Sequence, residues 1–560
     1  MRGDTSDAET VLAERGIVCS VDLLASRAGL DTLRAGGTAA DAAIATNAVL
    51  AVTSQHLCGL GGDLFALVQQ GNARPSCLVS AGPAGSGADA SLLQTEGHRT
   101  MPRYGDIRAV TVPGCVDGWM ALHERYGRLP MARLLAPARD LAASGFEASS
   151  AVAAAAARIS EVPLADDYRR PDGGPGHSGP LWVGDVVRRP LVAETLDAIA
   201  GGGRDGFYRG TFGDALLALG RSRGREQGRR DPTSRDLFTE RDLSTPIARW
   251  VEPIGLRAWG HDIWTAPPPS QGYLLPSSAW IADGLDTPSD PDDPAWPHLL
   301  SEAARWAGFD RPAVLYDGAD GEALLNPNRL AARRAAIRPG ARTAPPAPAD
   351  AGGTTYLCVV DDAGMAVSLI QSNAAGWGAG IVAPGTGVFL QNRGLGFSLE
   401  AGHPAELAPG RRPPHTLVPA VVTRPDGELA AVLGTMGGDT QPQILLQLLA
   451  RLLVAHQSPG EAVAASRWFL GEGGFDTWAE GGPQLTTLEP GVPPAWVPGL
   501  AARGHRLGSV ATRSVGHAQV IVPAGDGRSV DLPARADGAG GARWAGAADP
   551  RAATGAALGW

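Results

Sequence analysis

The stretch PGARTAPPAPADAGG, Pro339–Gly353, runs without a break into TTYLCVVDDAGMAVSLIQS, Thr354–Ser372. The first half is a Pro/Ala/Gly segment that cannot contribute to a core. The second is β-rich, and the turn DDAG, Asp361–Gly364, divides it into two runs that read as a hairpin. A flexible linker thus delivers a threonine, preceded by a small residue, to the head of a strand. Such a threonine can attack the carbonyl of the residue before it. An N–O acyl shift and hydrolysis then free its α-amine, whose ordinary pKa of about 7.7–8.0 leaves it partly unprotonated near neutrality. The amine can deprotonate the hydroxyl of its own residue, so no histidine is required. Taken alone, the junction reads more simply as a loop meeting a strand.

Working outward, Val418–Thr423 and Glu428–Gly434 flank a turn at Arg424–Gly427 and read as a second hairpin. It leads into LGTMGGDT, Leu433–Thr440, where Gly437 and Gly438 could present backbone N–H groups to a developing oxyanion. By themselves two glycines only make a tight bend. Pro442–His456 is predicted helical. Toward the N-terminus, Gly16–Leu24 reads as a strand entering a helix, and Thr38–Thr53 as a buried helix capped by Thr38. Met131–Ser144 and Ala148–Ile159 are further helical blocks. Pro163–Gly184, Arg221–Asp236 and Thr287–Pro294 read as surface loops, and the Gly/Ala-rich Ala534–Trp560 as loosely ordered in places. At 560 residues the chain is too long for one small core, so two domains or structural halves are expected.

Composition removes several function classes. A hydrophobic share of 44% with 19% charged residues describes an ordinary globular protein. The net charge of −10 and the lack of a basic tract argue against nucleic acid. All 48 basic residues are arginine. Without lysine there is no pyridoxal-phosphate Schiff base, Walker A lysine, kinase lysine or Ser–Lys dyad. No GxSxG elbow announces a Ser-His-Asp triad. The five cysteines form no CxxC pair, and His56 and Cys58 have no further ligands near them in sequence, so neither a metal nor any other cofactor is expected. The N-terminal MRGDTSDAETVLAERG lacks the apolar core of a signal peptide, and no run of eighteen apolar residues exists. A cytoplasmic protein without membrane contact is the expectation.

Taken together, the segments of the chain resemble the γ-glutamyltransferase-like family. The resemblance rests on GIVCSVDLLASRAGLDTLRAGGTAADAAIATNAVLAVTSQHLCGLGGDLF (Gly16–Phe65), VTVPGCVDGW (Val110–Trp119), YGRLPMARLLAPARDLAASGF (Tyr126–Phe146), TAPPPSQG (Thr265–Gly272) and HLLSEAARWAGFDR (His298–Arg311). It continues through GGTTYLCVVDDAGMAVSLIQS (Gly352–Ser372), GAGIVAPGTGVFLQNRG (Gly378–Gly394), GRRPPHTLVPA (Gly410–Ala420) and LGTMGG (Leu433–Gly438). The resemblance implies an α/β (α+β) chain with the four-layer αββα N-terminal-nucleophile fold. It also implies a precursor that cuts itself between Gly353 and Thr354, leaving a large subunit, 1–353, and a small subunit, 354–560. Thr354 then falls on the nucleophile, Ser372 on the assisting hydroxyl, and Gly437 and Gly438 on the oxyanion-hole glycines. Thr416 falls where a hydroxyl contacts substrate or orients the site. The partners so implied are a small-molecule substrate and the two subunits of one precursor, with a homodimer of processed heterodimers as a further expectation.

The sequence departs from the family where a γ-glutamyl group would be held. The segment SAGPAGSG, Ser80–Gly87, has no arginine for an α-carboxylate, and Leu395 and Gly396 stand where an acidic residue would meet the α-amine. Ala374 replaces the expected asparagine, with Asn373 beside it. Arg393 could instead supply a cation to a carboxylate or oxalyl group, the alternative being a structural arginine. His415, next to Thr416, is a candidate to touch substrate, and Trp377 to wall the acyl pocket or pack in the core. The leading expectation is an autoprocessing threonine hydrolase or acyltransferase cleaving an amide of a small acid or acylated metabolite. One alternative is C–C hydrolysis of an oxalyl-bearing intermediate of antibiotic biosynthesis by the same threonine. Another is an unprocessed, inactive homologue with a binding or structural role.

Overall fold

The computed structural model describes residues 8–171, 178–222, 225–226, 229–230, 235–342, 354–471, 477, 485–525 and 541–560. Gly353, and with it most of the linker that opened the sequence reading, lies outside the described residues.

Two antiparallel sheets of seven strands each form the centre. The first runs in the order Arg249–Val251, Ser76–Ser80, Asp63–Gln69, Ala366–Ser372, Thr355–Val360, Ile17–Ser20 and Ala556–Gly559. The second runs Val11–Ala13, Trp544–Ala548, Ala518–Pro523, Leu429–Thr435, Ala420–Thr423, His261–Thr265 and Ile254–Ala258. Both predicted hairpins are therefore present, each inside a different sheet. Period-2 alternation sends one set of side chains into the space between the sheets, where Phe65, Tyr356, Ile370, Val421 and Val432 make one continuous apolar layer. The outer face of each sheet is covered by helices. Ala39–Thr53, Cys115–Tyr126 and Met131–Ser144 belong to the first core, and Leu274–Asp283, Ala295–Gly308 and Gln441–Leu453 to the second. The result is the four-layer αββα arrangement.

The helix Ala39–Thr53 is buried along its whole length. It has no polar face because helices and sheet enclose it on every side. Its N-terminus begins at Thr38 as the sequence implies, in a reciprocal capping box with Asp41. Each sheet takes strands from both sides of position 354, so both parts of the chain contribute to each of the two cores. The reading of the C-terminal stretch is corrected. Trp544–Ala548 and Ala556–Gly559 are strands, one in each sheet. A β-carbon at Gly546 would sit 2.8 Å from Ile17 Cδ1 and 3.0 Å from Cys19 Sγ. Small residues are required there because the sheets approach closely.

Candidate active site

Thr354 stands fully buried at the head of the strand Thr355–Val360. The register Thr355↔Gln371 carries Thr354 opposite Ser372, and Ser372 in turn pairs with Asp63 on the next strand. Residues directly opposed across antiparallel strands share a face. Tyr356, two residues on and so on the same face, packs its ring on Gly434 of the other sheet. Thr354, Ser372 and Asp63 therefore form one row at the end of the layer between the sheets.

Thr354 Oγ1 and Ser372 Oγ lie 3.1 Å apart, a hydrogen bond between two buried hydroxyls. Ser372 Oγ also accepts from the Ala374 N–H at 2.8 Å. That contact holds Ala374 at φ 73, a left-handed conformation that costs a non-glycine residue of order 1 kcal/mol. Asn373 Nδ2 donates to the Gln55 carbonyl at 2.8 Å, and Asn392 Oδ1 accepts from Ala375 N–H at 2.9 Å, so the turn after Ser372 is tied down from both sides. Asn373 Oδ1 is buried with no hydrogen-bond partner among the described residues.

The second sheet supplies the opposite wall. Gly437 and Gly438 follow the strand Leu429–Thr435 with φ of 137 and 57, and a β-carbon at Gly437 would meet Thr440 Oγ1 at 2.6 Å. Glycine is needed here for both reasons. Gln271 Nε2 donates to the Thr416 carbonyl at 3.1 Å and to the Gly438 carbonyl at 2.9 Å, fastening these two loops together. Thr416 Oγ1 is buried and has no hydrogen-bond partner among the described residues.

A charged group completes the site. Asp63 Oδ1 accepts from the N–H groups of Gly82 and Gly114 at 3.3 and 3.2 Å, and Oδ2 lies 3.3 Å from His415 Nε2. His415 Nδ1 accepts from the Leu417 N–H at 3.4 Å, so the ring proton sits on Nε2 and is donated to Asp63. The contact is a hydrogen bond from a neutral imidazole rather than an ion pair. Burial, with the Arg393 charge beside it, holds His415 well below the usual imidazole range, which agrees with that assignment. Burial pushes the Asp63 carboxyl up to about 7 against the opposing pull of Arg393. Burial likewise draws Arg393 down to about 10, resisted by Asp63 and Asp439. Asp439 accepts from Arg311 Nη2 at 3.0 Å.

The structure thus sets Thr354 on Ser372, with Asn373 next in the chain, and Ser372 beside Asp63, which meets His415, while Gln271 ties Thr416 to Gly438, the neighbour of Gly437; Arg393 acts on Asp63 and His415 through its charge. Trp377 belongs to a neighbouring aromatic layer. Its indole N–H donates to the Ala155 carbonyl at 2.9 Å and its ring packs on Tyr168 and Phe389. Gly353 falls outside the described residues. Among the described residues no group of three metal-ligating side chains exists, and all five cysteines are buried and free. No described helix is long and apolar enough to cross a membrane. Sequence reasoning missed Asp63 and Gln271. The signal for Asp63 was a carboxylate opening the run DLFALVQ, apolar from Leu64 to Val68, whose seven residues are all buried.

Known proteins carry the same framework. A family model described as gamma-glutamyltranspeptidase matches residues 25–559. The chain is 34% identical to an oxamate amidohydrolase proenzyme of Klebsiella pneumoniae, over 91% of this chain and 95% of that one. It is 33% identical to a glutathione hydrolase-like proenzyme of Bacillus subtilis, over 84% and 87%. Its fold superposes on the crystal structure of a cephalosporin acylase from Bacillus halodurans with a TM-score of 0.84 and 32% identity, covering 99% of this chain and 97% of the other. With matches that run nearly end to end on an αββα scaffold, the chain belongs to the gamma-glutamyltranspeptidase family of N-terminal-nucleophile hydrolases.

Proposed function

We propose that the chain cuts itself before Thr354 into subunits 1–353 and 354–560, and that Thr354 then hydrolyses the amide of a small carboxylic acid of the oxamate type. The observation that carries this reading is the Thr354–Ser372 hydroxyl pair, 3.1 Å apart and buried in register at the end of the inter-sheet layer. Once freed, the Thr354 amine takes the proton of Oγ1, and Oγ1 attacks the substrate carbonyl. Ser372 donates to Oγ1 and disperses its charge as the bond forms. Backbone N–H groups of the Gly437–Gly438 turn receive the oxyanion, an interaction worth about 3–4 kcal/mol in comparable sites. The Thr354 ammonium passes its proton to the departing amine. Water, deprotonated by the same amine, then releases the acid from the ester.

Arg393 is the cation for the substrate's carboxylate, and the buried Thr416 hydroxyl, lacking a hydrogen-bond partner among the described residues, bonds the bound acid. A γ-glutamyl donor also brings an α-ammonium, and Leu395 and Gly396 offer it no charge. The 34% identical relative named for oxamate supports the choice of a carboxylate set directly on the scissile amide.

Intact-mass analysis tests the first half of the proposal. Fragments Met1–Gly353 and Thr354–Trp560 are expected, and Thr354→Ala should remain one uncut, inactive chain; normal cutting of that variant would sink the mechanism. Parallel assays with oxamate, γ-glutamyl-p-nitroanilide and an oxalyl-bearing ketone test the second half. Oxamate should be turned over best. Efficient release of p-nitroaniline would refute the substrate assignment, and turnover of the ketone alone would move the same threonine to C–C hydrolysis.

A further inference from the structure

Three peptides in a row, from Met436 to Asp439, are held by their carbonyls. Thr435 Oγ1 donates to the Met436 carbonyl at 2.8 Å. Thr440 Oγ1 donates to the Gly437 carbonyl at 2.7 Å, beside the Thr440 N–H at 3.1 Å. Gln271 Nε2 donates to the Gly438 carbonyl at 2.9 Å, beside the Gln441 N–H at 3.3 Å. All three side chains are buried. Across a trans peptide the carbonyl of one residue and the N–H of the next point to opposite sides. Fixing the Met436 and Gly437 carbonyls therefore fixes the N–H groups of Gly437 and Gly438. Among the described residues neither of those N–H groups meets a hydrogen-bond acceptor, although Gly438 is buried.

Thr440 departs from the ordinary use of its residue type. It stands at the N-cap of the helix Gln441–Leu453, where a threonine hydroxyl usually accepts from an N–H of the first turn. Here it makes no such cap and donates back into the preceding turn. Thr435 closes the strand Leu429–Thr435 and reaches forward into the same turn. A Gly-Gly peptide is the one most free to rotate, and Gly437 and Gly438 sit at φ 137 and 57. Rotated, it would present a carbonyl oxygen where an N–H had been. We propose that Thr435 and Thr440 are positioning residues for the reaction, one hydroxyl for each N–H. By engaging the Met436 and Gly437 carbonyls they keep these peptides from turning over, and so hold both donors on the developing oxyanion. The inference rests on the reading of the Gly437–Gly438 turn as the receptor of that oxyanion. Gln271, from the other side of position 354, locks the next peptide and ties it to the Thr416 loop. Misplaced donors cost more once the oxygen carries charge than in the neutral substrate, so loss of either hydroxyl falls on kcat and spares KM.

Oxamate and thiooxamate, in which sulfur replaces the oxygen of the scissile carbonyl, are the probes. Sulfur bonds carbon at longer range and accepts hydrogen bonds poorly, so it gains little from donors spaced for oxygen. The wild type should favour oxamate by at least about tenfold in kcat. Thr435→Val and Thr440→Val keep the side-chain shape and remove the hydroxyl. Each should lose about tenfold in kcat for oxamate, part of the roughly 10²–10³ that a whole donor is worth, with KM within about twofold. The preference for oxygen over sulfur should shrink by the same factor, which a merely structural defect would not cause, and Thr440→Ser should restore both. Either valine variant decides alone if the other fails to fold. An undiminished preference for oxygen in the valine variants would overturn the positioning role and leave the turn as the oxyanion's receptor. A wild type indifferent to sulfur would overturn the reading of the turn, and this inference with it. A valine variant that folds but stays uncut is read from its crystal structure: a rotated Gly437–Gly438 peptide supports the proposal, and the wild-type orientation overturns it.

Discussion

Among the buried groups of arginine and carboxylate in the described residues, two behave in opposite ways. One lies beneath the second sheet. Arg467 Nη2 meets Asp549 Oδ2 at 2.5 Å, Arg551 reaches Asp549 Oδ1 at 3.0 Å and Glu489 Oε1 at 2.9 Å, and the Ala518 N–H adds a bond to Asp549 at 2.8 Å. Burial raises the Asp549 carboxyl, but Arg467 and Arg551 outweigh it and bring the group down to about 2. The other cluster is the site. There burial also acts first on Asp63, yet Arg393 does not overcome it, and the carboxyl stays at about 7. The residue types are alike and the burial is alike. What differs is saturation: the scaffold carboxylate has short, convergent, charged donors, while the site carboxylate has neutral donors at 3.2–3.3 Å and one shared cation. A saturated cluster holds the fold together, and a carboxyl left near neutrality is more often the mark of a site than of a scaffold.

That contrast can be broken most sharply at Asp549. Asp549→Asn leaves Arg467 and Arg551 buried with Glu489 as their remaining carboxylate, and should cost about 3–5 kcal/mol of stability, read as a lower urea midpoint. A loss below about 1 kcal/mol would show that this cluster is no more a scaffold than the site is. The matching change in the site, Arg393→Met, should leave the urea midpoint nearly unmoved. Its kcat/KM for oxamate should fall by roughly 10²-fold, the worth of one charged hydrogen-bonding group of about 1.5–3 kcal/mol. Equal loss of stability in both variants would erase the distinction.

The pH dependence of stability follows with opposite signs. Asp549 is depressed in the folded state, so its contribution is present above the unfolded value of about 3.9 and is lost as pH falls through about 2. Asp63 is raised, so its contribution is present below about 3.9 and is lost as pH rises through about 7. Asp549→Asn should flatten the acid limb of a stability–pH curve, and Asp63→Asn the decline between pH 4 and 7. Urea midpoints from about pH 2 to about pH 8 check both limbs.

How far the sequence reveals all this depends on the range of the interaction. Thr354 was legible at the junction of linker and strand and Ser372 through the family resemblance; the hairpin with its turn at Asp361–Gly364 is what sets the two opposite each other. Asp63 was not legible, since its place beside Ser372 depends on a strand some three hundred residues away in the chain. Gln271, likewise, bridges Thr416 and Gly438 from a third segment. The strands Trp544–Ala548 and Ala556–Gly559 escaped because Ala and Gly have low intrinsic β propensity; close sheet packing, not composition, makes Gly546 a strand residue. The αββα layers, by contrast, were implied by the family resemblance, and the apolar runs themselves yielded only the two hairpins.

The smallest expected effect concerns the turn that aims Ser372. Ala374 sits at φ 73 because its N–H must reach Ser372 Oγ at 2.8 Å while Ala375 N–H is held by Asn392 Oδ1. Glycine has no β-carbon to oppose that conformation, and asparagine tolerates it better than alanine. Ala374→Asn should therefore leave the fold intact or stabilise it by a few tenths of a kcal/mol, and Ala374→Gly should fall within about 1 kcal/mol of the parent because its freer unfolded chain offsets the relief of strain. Neither variant touches Arg393 or Asp63, so the preference for oxamate over a neutral amide should persist in both. If Ala374→Asn instead shifted that preference, recognition would extend into the turn behind the nucleophile, and the division between a neutral hydroxyl pair that reacts and a charged cluster that selects would have to be redrawn around residue 374.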